Sequence, residues 1–290
     1  MISTNNQLSH SKKSQELLKK IAEMIDKGAN SLQAKPIKLS KLSLKQTYLY
    51  LVFGVANSYS EAIIKLCKDF RGRPAIVLLR PILECWINII YFLSHNSDNR
   101  LRVLIMYDSF STLGMLEEMR VFSKKYPWIT EKTILSESNL KKARSRVEED
   151  LNDLRKNGLN LKSKKKLTAL PYFEESLLER AKKVDNRLRG SNSKKPLHSF
   201  EYQYQVVYRY FSDHVHVNLP GANNFLVKTE SGFNFFTSQS DDEVEVVLET
   251  LYVFYLSFLN KLKQYKIVSV PNLSKFNKYF NEEINTSKPH

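Results

Sequence analysis

The chain is poor in the residues that break or cross-link a backbone. It has two cysteines, eight glycines and nine prolines in 290 residues. So few turn formers disfavour a β-sandwich or barrel and suit long helices. Cys67 and Cys85 both fall inside apolar helical patterns. They read as reduced core thiols of a reducing compartment, and without a close histidine cluster they make no zinc site. There is no glycine-rich phosphate loop, no HExxH and no GxSxG, which weakens ATPase, zinc-hydrolase and α/β-hydrolase readings. Residues 1–15 hold no apolar run, so no secretory signal is expected. A long uncharged run is lacking too. Residues 75–93 have the length of a membrane span but carry Arg80 and Glu84 near their middle, where charge is costly in lipid. They read as a buried helix of a soluble, cytoplasmic protein. No metal, cofactor or membrane partner is expected.

What the chain does have is apolar bulk and positive charge. Hydrophobic residues make up 42%, enough for a sizeable core. The net charge is +15, which favours polyanionic partners. Apolar spacing predicts a helix over 12–28 with a stop at Gly28, and a long helix over 43–70. Pro74 suits the first turn of the next helix, which runs to about residue 95 with a kink at Pro81. Another helix is expected over 99–125. From 127 to 198 the character changes to Lys, Arg and Glu in two amphipathic stretches joined by a basic loop. Apolar character returns at Ser199. A small β-hairpin is expected around 230–232 and a strong final helix from Ser240 to about Tyr265. The expected fold is all-α, an antiparallel helical bundle. Its core is 43–126 with 199–265, preceded by a tail and helix over 1–42. Residues 127–198 are a charged helical insertion and 266–290 a polar tail.

Two of these helices carry a polar stripe. With about 100° per residue, Tyr202, Gln205, Ser212, Asp213 and His216 fall within roughly 60° of Arg209. Phe200, Tyr204, Val207, Phe211 and Val215 fall opposite. His216 lies about 20° from Arg209 and His214 about 140° away, towards the apolar face. Tyr202 and Tyr208 suit packing better than catalysis. In the more apolar helix after Arg73, the residues Arg80, Glu84, Asn88, Tyr91 and His95 share one stripe within about 60°. Arg80 and Glu84, at i and i+4, would be costly to bury unpaired. The stripe either locks two helices by an ion pair or faces the Arg209 stripe across a polar cleft. Simpler roles remain open for the rest: Arg209 pairing with Asp213, Ser212 bonding a carbonyl one turn back, His216 capping carbonyls at a helix end.

Arg209 to His214 fits R-x4-H, and Arg209 to His216 fits R-x6-H. Both resemble the R-x4–6-H motif of HEPN domains, all-α domains of bacterial toxins, CRISPR effectors and phage-defence proteins. The surrounding pattern, RPILECW followed by Tyr208, Ser212 and His216, is also similar to a bacterial domain family of unknown function. The HEPN resemblance covers about 43–126 and 199–265. It implies a metal-independent endoribonuclease acting on RNA, with the site formed where two motifs meet in a homodimer. It also implies Arg209, His216, Ser212 and Asp213 as the catalytic group. Arg80, Glu84, Asn88, Tyr208 and His214 would support them. Tyr210, directly after the arginine, departs from the small polar residue that many active members carry there.

The chemistry fits these residue types. A histidine titrates at about pH 6.5 and serves as acid or base, while an arginine stays charged and holds phosphate in a fork. Lys141, Lys142, Arg144, Lys164, Lys165 and Lys166 could track a phosphate backbone, though charge runs are more often solvated faces. Two further readings stand beside the ribonuclease. One is a non-catalytic helical module for nucleic acid or a partner protein. The other is a nucleotide or small-molecule sensor, with Arg73, Arg80, Glu84 and His216 around a pocket.

Overall fold

Helices dominate the regular structure, and the fold is all-α. The computed structural model describes residues 9–33, 38, 41–94, 98–126, 136–158, 176–188, 199–209, 226–229, 232–235, 241–267 and 270–284. In chain order these hold α1 (Lys12–Gln33), α2 (Leu44–Lys68), α3 (Gly72–Leu93), α4 (Asp98–Lys125), α5 (Glu137–Lys156), α6 (Leu177–Leu188) and the short α7 (Phe200–Tyr202). A π-helix, Gln203–Tyr208, continues α7. Strands β1 (Leu226–Thr229) and β2 (Gly232–Phe235) come next, then α8 (Asp241–Gln264) and α9 (Leu273–Tyr279), which runs on as a π-helix, Phe280–Ile284. The strands pair antiparallel, Leu226 with Phe235 and Thr229 with Gly232. The turn residues expected to join them lie outside the described residues.

The chain divides into two compact units. The first combines Met1–Tyr91 with Leu177–His290, and α8 is its central helix. Val247, Leu251, Tyr255, Phe258 and Leu259 on α8 are almost wholly buried, each worth about 1.5–3 kcal/mol relative to exposure. α8 packs on both α1 and α2, which also pack on each other. The three meet at Gly28. A Cβ there would lie 2.9 Å from Tyr255 Oη, 3.1 Å from Phe53 Cζ and 3.2 Å from Leu259 Cδ2. The expected stop at Gly28 is therefore a close-packing site, and α1 continues to Gln33.

α2 starts at a reciprocal cap between Ser43 and Gln46. It ends where Phe70 N–H bonds the Cys67 carbonyl and Arg71 N–H bonds the Leu66 carbonyl. That pattern needs a left-handed residue, and Phe70 supplies it at φ 57. A phenylalanine there is strained. His10 stacks on its ring with centroids 3.8 Å apart, and His10 Nδ1 lies 2.7 Å from Asp241 Oδ1 at the start of α8.

The expected polar tail is not bare. Leu273 and Phe276 of α9 are buried, Tyr252 Oη donates to the Phe276 carbonyl at 2.9 Å, and Asn260 and Asn277 exchange hydrogen bonds. Two apolar side chains on one turn give no periodicity for a sequence reading to detect.

The second unit, Phe92–Ser176, contains α4 and α5, which pack on each other through Phe110, Leu113 and Val147. Polar links run along the pair: Arg102 to Asp153 at 3.1 Å, Ser109 to Asp150, and Arg120 to Glu137 at 2.8 Å. The unit boundaries thus differ from the expected division. α4 groups with the charged α5, and α6 groups with the α8 core.

Candidate functional site

The site is built on the segment that begins at Ser199. Ser199 Oγ accepts from Tyr202 N–H at 3.2 Å, the first-turn cap that a serine favours. The buried Asp185 of α6 adds a second cap. Its carboxylate accepts from Ser199 Oγ at 2.8 Å, Phe200 N–H at 2.8 Å and Glu201 N–H at 2.9 Å. A carboxylate at a helix start also meets the positive end of the peptide dipoles.

Beyond Tyr202 the helix widens to i→i+5 bonding over Gln203–Tyr208. Such π segments are rare and concentrate at functional sites. Tyr202, Gln205 and Arg209 are exposed as the wheel requires, and Val206, about 60° from Arg209 on the same wheel, joins them at 47% exposure. Tyr204 and Tyr208 come together as a near-parallel stack, centroids 4.8 Å apart and planes inclined by 20°.

Tyr208 joins this segment to α3. Its hydroxyl donates to Glu84 Oε1 at 2.6 Å. Arg80 Nε donates to the same oxygen at 3.4 Å, a weak bond at the limit of range. The Arg80 guanidinium carbon lies over the Tyr208 ring, 4.6 Å from its centroid, within the range of a cation–π contact. Burial, and then the Glu84 carboxylate beside it, push the Tyr208 phenol up to about 12. Burial works against the Arg80 charge, but contacts with Tyr208 and Glu84 outweigh it and raise its pKa. One turn on, Asn88 Oδ1 accepts from Nη1 of the buried Arg180 on α6. Arg80, Glu84 and Asn88 thus form one row on α3, engaged by α7's continuation and by α6.

The membrane-like composition of α3 belongs to its other face, where Ala75, Ile76, Leu79, Ile82, Leu83 and Ile87 are buried. Among the described residues it is one helix long and apolar enough to cross a membrane, and half of its apolar window is buried inside the protein.

The sequence-predicted residues separate into three groups. Arg80, Glu84, Asn88 and Tyr208 come together, and Arg209 follows directly on Tyr208 with its side chain exposed. Ser212, Asp213, His214 and His216 lie outside the described residues, as do His95, Lys164, Lys165 and Lys166. Lys141, Lys142 and Arg144 are exposed on α5 in the other unit, with Arg144 Nη2 at 3.5 Å from Glu117. Arg73, expected in the same stripe as Arg80, instead donates to Glu243 Oε1 of α8 at 2.6 Å. Among the described residues no group of three His, Cys, Asp or Glu side chains is placed to hold a metal.

Residues 46–235 match the family described as "Family of unknown function (DUF5677)". The chain belongs to DUF5677. No curated protein and no solved structure matches it. The stretch matched to DUF5677 runs from α2 to β2 and takes in the α3 row, α6 and α7; α1, α8 and α9 lie beyond it.

The sequence reading missed Arg180, Asp185 and Tyr204. For the first two a signal was present. In α6 the apolar residues Leu177, Ala181 and Val184 mark the inner face, and Arg180 and Asp185 fall on that face at helical spacing. A charge on an apolar face demands a partner. For Tyr204 the signal was its i, i+4 spacing from Tyr208, at which side chains are neighbours on a helix.

Proposed function

We propose that the chain is a metal-independent endoribonuclease of the HEPN kind. Arg209 stabilises charge on the phosphate, and His216 donates or accepts the proton. Ser212 or Asp213 orients the pair. His214 takes over the role of His216 if the helix breaks at Asp213. Arg80 and Glu84 buttress the site through Tyr208, and Asn88 through Arg180 of α6. Two copies of the motif meet in a homodimer, and the protein acts in the cytoplasm as a toxin or phage-defence effector. The observation that supports this reading is the Tyr208–Glu84 hydrogen bond of 2.6 Å. It sets a polar row from a very apolar helix against the segment that carries Arg209. An arginine held beside such a row, with its side chain in solvent, suits a polyanionic substrate. In EDTA the purified protein should cut RNA and leave a 2′,3′-cyclic phosphate end. Undiminished cutting by His216→Ala would rule out the assigned role.

A second reading is favoured by a different observation, the exposed Lys141 and Lys142 on α5. Here the chain is a non-catalytic module that binds nucleic acid or a partner protein. RNA binding would then be salt-sensitive and without turnover. Charge reversal at Lys141 and Lys142 would weaken it, and His216→Ala would not.

A further inference from the structure

We propose that the outer face of α4 is a contact between two copies of this chain, paired antiparallel about a two-fold axis. The inference goes beyond the ribonuclease reading and does not rest on it. α4 is apolar on two sides. On one, Phe110 and Leu113 pack with Val147 of α5. On the other, Met115, Met119, Phe122 and Tyr126 recur at intervals of four, three and four, the spacing of a helix-pairing seam. At about 100° per residue these four lie within an arc of about 60°, opposite the side that meets α5. Met115 is 52% exposed and Phe122 56%. Tyr126 N–H bonds the Phe122 carbonyl at 2.7 Å, so it keeps its helical place just past Lys125. Its ring lies near-parallel to that of Phe122, with centroids 6.2 Å apart. A row of large apolar side chains left in solvent marks a contact surface, and methionine and aromatic residues are those enriched in such contacts.

The occupant follows from the charges beside the seam. Glu118 and Lys125 are exposed and lie on one flank of it, about 70–90° from its centre. The neighbouring Glu117 and Arg120 are engaged by Arg144 at 3.5 Å and Glu137 at 2.8 Å, whereas among the described residues neither Glu118 nor Lys125 forms an ion pair. An antiparallel pairing sets Met119 against Phe122 of the second copy and Met115 against its Tyr126. Glu118 of each copy then meets Lys125 of the other, once on each side of the axis. A parallel pair would set Glu118 against Ser123 and bring no opposite charges together. A two-fold contact requires a surface complementary to itself, and this order of apolar and charged residues meets that requirement.

The test is sedimentation equilibrium of the full chain. The wild type should self-associate, and Phe122→Asp, which places a charge in the seam, should weaken association more than about tenfold. Glu118→Lys or Lys125→Glu alone sets like charges together at both ends of the contact and should weaken association about tenfold at low salt. The double exchange of Glu118→Lys with Lys125→Glu restores opposite charges and should bring association back. A wild type that stays monomeric at about 100 μM, or association that none of these variants moves, overturns the contact. Weakening by both single reversals without recovery in the double exchange overturns the antiparallel pairing. Association that is lost in Arg209→Ala and unmoved by the α4 variants assigns the dimer to the Arg209 motif, which overturns the α4 contact and leaves the ribonuclease reading standing.

Discussion

Asp185 gives the most quantitative handle on how the site is held. Its carboxylate satisfies Ser199 Oγ and the first two amides of α7, Phe200 and Glu201, from a side chain 6% exposed. Asp185→Ala removes all three acceptor contacts at once. A lost helix cap costs about 0.5–2 kcal/mol, and a buried donor left unsatisfied about 1–3 kcal/mol. Ser199 Oγ still caps Tyr202 N–H, so the bonds are not independent and their costs do not simply add. About 3 kcal/mol is the expected loss. It should fall first on the segment Phe200–Arg209, which can open without unfolding the α8 core. Hydrogen exchange followed by mass spectrometry should show those amides exchanging roughly a hundredfold faster, with α8 unchanged. Asp185→Asn keeps one acceptor and should recover part of the protection. If Asp185→Ala leaves the exchange of Phe200–Arg209 within about twofold of wild type, under 0.5 kcal/mol, the cap does not hold the site.

Three other perturbations test neighbouring parts of the account. Gly28→Ala forces a methyl against Tyr255, Phe53 and Leu259; overpacking of about 1–3 kcal/mol should exceed the roughly 1 kcal/mol that alanine gains in a helix, lowering the urea midpoint. Tyr208, with a phenol raised to about 12 against an ordinary value of about 10, contributes stability that is complete below about pH 10 and is lost as pH rises through about 12. Phenolate absorbance should therefore show one fewer late-titrating tyrosine in Tyr208→Phe, and an unchanged titration would contradict the burial of Tyr208 beside Glu84. Burial pushes the thiol of the fully buried Cys67 up to about 12, so a thiol reagent at neutral pH should not react with it until the protein is denatured, and the partly buried Cys85 should react first.

What the sequence made legible follows from where the physics is local. Apolar spacing located α2 to α6 and α8, because a helix buried on one face writes its period into the chain. Residue-level placement failed where a tertiary contact overrode the local signal. Gly28 reads as a stop, yet it is a contact point for three helices. Phe70 occupies a left-handed position where sequence would look for glycine. α9 is too short for a pattern and is held by Leu273 and Phe276 in the core. At the site, the row Arg80, Glu84 and Asn88 was legible as a polar stripe needing partners, and the chain supplies Tyr208 and Arg180. The partners themselves were not legible. The wheel that places residues around Arg209 assumes 100° per residue, and the π-helix over Gln203–Tyr208 departs from it.

The central claim is that Arg209 belongs to a phosphate-cleaving group and not merely to a basic surface. Its most direct measurement is cleavage of a labelled single-stranded RNA in EDTA, comparing wild type with Arg209→Ala and His216→Ala at matched urea midpoints. The account predicts cyclic-phosphate products from the wild type and at least a hundredfold slower cutting by each variant, the range expected when an acid–base or charge-stabilising group is lost. Cutting by both variants at the wild-type rate, or none by the wild type, would contradict it.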